Sequence, residues 1–338
     1  MTDIDPVQAF RALTPDQLLD AVEECYLKPQ EQFADGRFLA LNSYENRVYQ
    51  IGVEGSDNVV AKFYRPGRWS DSSILEEHEF TRQLADSEIP VVSPLADKNG
   101  ITLFHYGPFR FAIYPCRGGR ALELDNPGHL EQMGRFIGRI HGIGSQHLYV
   151  SRPDIDIKSY IDPARSFLLD NDFLPGHLID AYTTLVDFLA DQVRFCFQRA
   201  GSVRPIRLHG DFHPGNVLWT DNGPHIVDFD DARNGPAIQD LWMFLSGDRE
   251  YMTLMLNSLL EGYSQFFDFN PAELHLIEGL RTMRMIHHAG WLASRWQDPA
   301  FPIAFPWFNS MNYWEQHILN LREQSSLMDE EPVSWNRH

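Results

Sequence analysis

Cysteine is scarce in this chain of 338 residues, limited to Cys25, Cys116 and Cys196. So few, odd in number and widely spaced, they exclude a disulfide framework and a thiolate zinc site, and they fit free thiols in a reducing compartment. Basic charge is also in short supply. Lys and Arg number 28 against 47 Asp and Glu, giving a formal net charge of −19. That balance argues against a nucleic-acid binder, whose phosphate contacts need a basic surface, and against docking on anionic lipid. Long apolar runs are missing: LWMFL (Leu241–Leu245) is far too short to span a bilayer. The N-terminal MTDIDPVQAF has no basic region leading into an apolar run, so it does not read as a signal peptide. A cytoplasmic location is therefore expected. No tandem repeat or low-complexity tract occurs. What remains is an ordinary globular composition, 43% apolar, in a chain long enough for two lobes.

The first hundred or so residues read as mixed, with strands predominating. ENRVYQIGV (Glu45–Val53) and NVVAKFYR (Asn58–Arg65) are rich in β-branched and aromatic residues and flank the turn-forming EGSD, a hairpin signal. ILEEHEFTRQLA (Ile74–Ala85) follows as a helix, with Ser72 and Ser73 as candidate N-caps. ITLFHYG and FRFAIYP return to strand character, and CRGGR (Cys116–Arg120) is a glycine-bearing connector. The expected division is a nucleotide-binding lobe at 1–115 and a catalytic and substrate-binding lobe at 116–338. Beyond the connector the pattern is mostly helical: LEQMGRFIGRIHGIG (Leu130–Gly144), Thr183–Arg199 and Leu274–Trp296. Between them lies an island of short strands, IRLHGD, NVLW and HIVDFDD.

The chemistry concentrates in that island. Asp211 is followed five residues later by Asn216, and twelve residues after that by Asp228. Both aspartates end β-rich runs, so their side chains are expected to emerge together at the mouth of one hairpin. Phosphoryl transfer needs such a set: a carboxylate to orient and deprotonate an acceptor hydroxyl, and oxygen ligands for magnesium on the nucleotide phosphates. Protein kinases keep the same five-residue step in H-R-D-x-x-x-x-N, followed by D-F-G. Here the words are HGDFHPGN and DFD.

HGDxHxGN followed by V-D-F-D resembles the aminoglycoside phosphotransferase and choline kinase branch of the protein-kinase-like fold. MGRFIGRIHGIG, ending its pattern at His141, and DDARNGPAIQDLWMFL, with Asp240 heading a helix, resemble that superfamily too. The likeness runs from about residue 40 to about 300. Within the superfamily, LNSYENRVYQ, VAKFYRP, ILEEHEF and the late WQDPAFPIAFPW are similar to the stress response kinase A family of bacterial Ser/Thr protein kinases. The resemblance implies an α+β, protein-kinase-like bilobal fold with a small β-rich N-lobe and a larger, mostly helical C-lobe. It implies ATP and Mg²⁺ as cofactors, a protein substrate offering Ser or Thr, and no nucleic-acid or membrane partner; a monomer is the default. By the same resemblance Asp211 is the catalytic base and Asn216 and Asp228 are the magnesium ligands. Lys62 binds phosphate, Glu77 is its ion-pair partner with Glu76 the adjacent alternative, and Ser43 contacts the ATP phosphates.

Two departures matter. No G-x-G-x-x-G covers the nucleotide, so Asn42, Ser43, Tyr44 and Glu45 must supply its phosphate contacts. DFD replaces D-F-G, and only nine residues separate Asp230 from Asp240. That leaves no room for a long activation loop, and a site assembled without activation-loop phosphorylation is expected. His209 and His213 read as scaffold of the loop, although H-x-D-x-H leaves a zinc hydrolase as an alternative. His287 and His288 face different directions on one helix and read as packing residues. The aromatic segment Trp291–Trp314 reads as packing of the large lobe, with an acceptor-binding wall as the functional alternative. Arg233 serves either a structural ion pair or a bound phosphate. A small-molecule kinase acting on an amino-sugar or choline-like cation is the runner-up activity.

Overall fold

The computed structural model describes residues 6–11 and 13–335; part of the N-terminal decapeptide read for a signal peptide lies outside them. The chain forms two compact units that are not contiguous in sequence. The first takes the described residues up to Leu122 together with Val150–Arg152 and Gly215–Asp230. The second takes Glu123–Tyr149, Pro153–Pro214 and the described residues from Asp231 onward.

The first unit opens with two short helices, α1 (Pro6–Arg11) and α2 (Pro15–Val22). A five-stranded antiparallel sheet follows, built from β1 (Ala34–Ala40), β2 (Arg47–Val53), β3 (Val59–Phe63), β4 (Phe104–Tyr106) and β5 (Phe109–Pro115) in the order β1-β2-β3-β5-β4. The expected β2–β3 hairpin is present, with Val48 opposite Lys62. Strand periodicity sorts its side chains. Val59, Ala61 and Phe63 enter a core with Ile51, Phe111 and Ile113, where Phe63 and Phe111 stack 4.8 Å apart. Val60 and Lys62 therefore face the other way. Helix α3 (Asp71–Asp86) starts earlier than its apolar pattern suggests. Ser70, not Ser72 or Ser73, is its N-cap, because the Ser70 hydroxyl accepts the Ser73 amide at 3.1 Å.

The strand island does not form one hairpin, as its sequence suggests. In the first unit β7 (Val217–Thr220) pairs with β8 (Gly223–Ile226). In the second, β6 (Ile206–Leu208) pairs with β9 (Arg233–Gly235), the strand beyond HIVDFDD. Each short strand thus takes its partner from its own unit, a choice that local alternation cannot encode.

The second unit is otherwise helical: α4 (Pro127–Gly144), α5 (Ile157–Asp170), α6 (Ile179–Ala200), α7 (Gln239–Trp242), α8 (Arg249–Tyr263), α9 (Ile277–Arg295), α10 (Ala300–Ala304) and α11 (Met311–Asp329). Helices α4 and α8 lie very close together. A Cβ on Gly134 would sit 1.9 Å from the Leu259 carbonyl oxygen, so any larger residue would force them apart. Phe301, Phe308 and Trp314 of the aromatic segment are buried, whereas Ile303 and Trp307 remain exposed.

Candidate active site

In the first unit the side chains opposite the core line a hollow of about 330 Å³. Val48, Val60, Lys62 and Tyr114 come from the sheet, Asn42 and Ser43 from the turn after β1, and Asn216, Leu218, Val227 and Asp228 from the β7–β8 segment. The β7–β8 hairpin brings two of the candidates together. Val217 pairs with Ile226 and the Val227 amide donates to the Asn216 carbonyl at 3.0 Å, so Asn216 and Asp228 share one end of the hairpin. Asp228 has φ +64°, a left-handed conformation that non-glycine residues adopt where their surroundings hold them there.

Lys62 Nζ lies 3.1 Å from Asp228 Oδ1 and 3.1 Å from Asp230 Oδ1. Burial alone would push the lysine down, but Asp228, Asp230 and Glu77 outweigh it and hold its ammonium well above the usual range. The expected direct pair with Glu77 does not form. Glu77 is instead 3.2 Å from Arg152 Nη2, and burial pushes its carboxyl up against the opposing pull of Lys62 and Arg152. Glu76 accepts the Val150 and Ser151 amides, each at 2.8 Å. The segment Val150–Arg152 thus engages both Glu76 and Glu77 of α3. Asp230, in the place of the kinase glycine, takes Lys62, Arg68 and the Asn46 amide at 3.2 Å, while its carbonyl accepts Arg152 at 2.9 Å. Neither Asp230 nor Arg152 was singled out from sequence. The extra acid in DFD was the available signal for the first; nothing local marks the second.

The polar turn after β1 is anchored by an arginine. The Tyr44 and Glu45 carbonyls accept Arg65 at 3.1 and 2.8 Å. His78 is a buried neutral imidazole held between Tyr64 and Thr102 at 2.8 and 2.9 Å; burial, with Lys62 and Arg152 nearby, brings it down to about 3.

Asp211 belongs to the second unit, and its loop is fixed there through the backbone. The fully buried Asp240 accepts the His209 amide at 2.8 Å and the Gly210 amide at 2.9 Å. Its Oδ2 also lies 3.2 Å from His141 Nε2, whose Nδ1 meets the Tyr263 hydroxyl at 2.8 Å. Gln239 donates to the Gly210 carbonyl at 2.8 Å. Gly210 itself has φ +85°, and a Cβ there would come 2.2 Å from the Asp231 carbonyl oxygen, so only glycine fits. The His209 ring stacks on Phe212, centroids 4.6 Å apart. Arg284 on α9 contacts Asp211 Oδ1, and His213 Nε2 is 3.6 Å from Oδ2. Arg284 is a further residue that sequence reading missed. Among the described residues, no group of three or more His, Cys, Asp or Glu is arranged to hold a metal ion by itself. Nor is any helix there long and apolar enough to cross a membrane.

Residues 37–277 match the model of a phosphotransferase enzyme family. The chain belongs to that family. It is 43% identical over 324 residues to stress response kinase A of Escherichia coli (strain K12), covering 96% of both chains. It is 42% identical over 329 residues to a serine/threonine protein kinase, RdoA, of Salmonella typhimurium, covering 97% of this chain and 98% of that one. Among solved structures an amicoumacin kinase, in complex with AMP-PNP, Ca²⁺ and amicoumacin, aligns over 96% of both chains with a TM-score of 0.72. At 19% identity that likeness shows the fold alone. The family member described here is thus a phosphotransferase with a kinase-like fold, a five-stranded sheet in one unit and helices dominating the other.

Proposed function

We propose that this phosphotransferase moves the γ-phosphate of ATP to Ser and Thr hydroxyls of proteins, acting as a cytoplasmic monomer. The observation that carries the reading is the convergence on one hollow of Lys62, Asn216, Asp228 and Ser43, with Asp211 five residues before Asn216 in the same loop. The hollow suits a nucleotide: Val48, Val60, Leu218 and Val227 offer apolar walls for a base, and the lysine offers a charge for phosphate. Asn216 and Asp228 would hold Mg²⁺, which takes few protein oxygens and completes its shell with phosphate and water. When bound, the ion would neutralise charge on the phosphates being separated.

The protein's own part is positioning and proton transfer. Lys62 holds the nucleotide phosphates, and Glu77 contributes by stabilising the lysine's charge through space. Ser43 contacts phosphate from the turn. Asp211 orients the acceptor hydroxyl and takes its proton as the new O–P bond forms and the bond from the γ-phosphorus to ADP breaks. Identity above 40% to two relatives named as kinases, one of them a serine/threonine protein kinase, supports a protein acceptor.

The test is a radiolabelled ATP assay on the purified protein with Mg²⁺, comparing casein, myelin basic protein, autophosphorylation and a panel of amino-sugars and choline. Label in Ser or Thr of protein is expected. Label only in the small molecules would replace the protein-kinase reading with the small-molecule one.

A further inference from the structure

Asp211 meets a cation from outside its own loop. Arg284 lies on α9, and its Nη1 donates to Asp211 Oδ1. The arginine side chain is 39% exposed and the aspartate 24%, so the pair stands at an accessible surface of the second unit rather than in its core. The same helix carries His288 one turn further on. Burial and the Arg284 charge bring that imidazole down to about 4 against the opposing pull of Asp211, and its ring stacks on Trp291. His288 is therefore neutral near pH 7 and adds no charge. Across from the pair stand His213 of the loop, Tyr160 of α5, and Asp231 with Arg233 beside β9. Arg233 lies over the Tyr160 ring at 4.9 Å and 3.8 Å from Asp231, so its charge is already engaged. Arg284 thus touches the carboxylate expected to act as base.

We infer that Arg284 is a positioning residue for transfer, fixing the orientation of the Asp211 carboxylate so that one of its oxygens meets the acceptor hydroxyl. This rests on the proposed role of Asp211. The physical basis is geometric: a charged donor in contact holds a carboxylate oxygen in one place. A guanidinium also restricts rotation of that carboxylate better than an ammonium, because its donors are planar and fixed. The backbone bonds from Asp240 set where the loop runs, and Arg284 on one carboxylate oxygen, with His213 3.6 Å from the other, bears on where the Asp211 side chain points.

The experiment compares wild type with Arg284→Gln and Arg284→Lys in Mg²⁺-dependent transfer to casein and in ATP hydrolysis. Thermal melts verify that each variant is folded. For Arg284→Gln, kcat is expected to fall roughly 10- to 100-fold while KM for ATP stays within about threefold, a loss confined to the chemical step. Arg284→Lys, which keeps the charge but not the planar fork, should restore only part of kcat. An unchanged or higher kcat in Arg284→Gln overturns the inference, the latter marking the contact as inhibitory. So does a lower kcat accompanied by an equal rise in KM for ATP or by a lowered melting temperature, which marks a purely structural role. Wild-type protein with no transfer and no hydrolysis instead removes the kinase reading, and the inference with it.

Discussion

The two units stabilise their candidate residues by different means. In the first, charge holds charge: Lys62, Arg68 and Arg152 interlock with Asp228, Asp230 and Glu77. In the second, one buried carboxylate holds backbone. Asp240 takes two consecutive amides of the loop and a histidine, and the loop's own acid is left near the surface with Arg284. The contrast follows from the tasks proposed for each. A pocket for a polyanion and its counter-ion needs several charges of both signs whose net field stays moderate until the ligand enters. A base needs one carboxylate in a fixed place, and a rigid backbone provides that without burying the reactive group.

Breaking the backbone clamp is expected to have the largest effect. Asp240→Ala strands two buried amides and His141, and should cost about 3 kcal/mol or more. Urea unfolding would show it, with transfer activity lost in parallel. Breaking the charge network should leave the fold intact and cost binding instead. Lys62→Met is expected to weaken Mg-ATP affinity about 10- to 100-fold by calorimetry, the range for losing a hydrogen-bonded charge. An unaltered affinity would take Lys62 out of the phosphate site.

A third perturbation probes the clamp through pH. Glu273 is buried and accepts the amides of Ile238 and Ala237, just ahead of Asp240. Burial raises its carboxyl to about 7, more than those amide bonds lower it. The folded state thus retains a proton that the unfolded chain gives up in the ordinary carboxylate range. This contribution to stability is complete below that range and is lost as pH climbs through about 7. Stability should therefore decline by on the order of 2 kcal/mol between pH 5 and 8 on account of this group. Glu273→Gln should flatten that part of the profile in denaturant titrations at the two pH values; an unchanged slope would remove Glu273 as its source. The smallest effect is expected at the turn. Ser43→Ala removes one hydroxyl from the hollow and should raise KM for ATP less than tenfold, and a larger rise would give the turn a greater share of phosphate binding than its backbone amides have.

The same contrast explains what was legible in the sequence. Asp211, Asn216 and Asp228 stood out because their spacing is local, Lys62 only through the family resemblance, and the β2–β3 hairpin and the helix after it through local patterning. The partners of these residues were not local. Arg152 arrives from a three-residue segment after α4 and Arg284 from a helix seventy-three residues beyond Asp211, with no periodic or turn signal at either. Pairing within the strand island failed in the same way. IRL and HIV have equivalent alternation, and only the division into units assigns them to different partners. Glu77 was expected to pair with Lys62, but its ion-pair partner is Arg152, which has no local signal. Direct contact with Lys62 went to Asp228 and to Asp230, the second standing where kinases carry glycine.

The central claim is that Asp211 serves as the base for phosphoryl transfer, and Asp211→Asn tests it most directly. That variant keeps the shape of the side chain but not its ability to take a proton. Mg-ATP binding should remain close to wild type while transfer to protein falls roughly 10²- to 10⁴-fold. Transfer at the wild-type rate, with the nucleotide bound as before, would contradict the account.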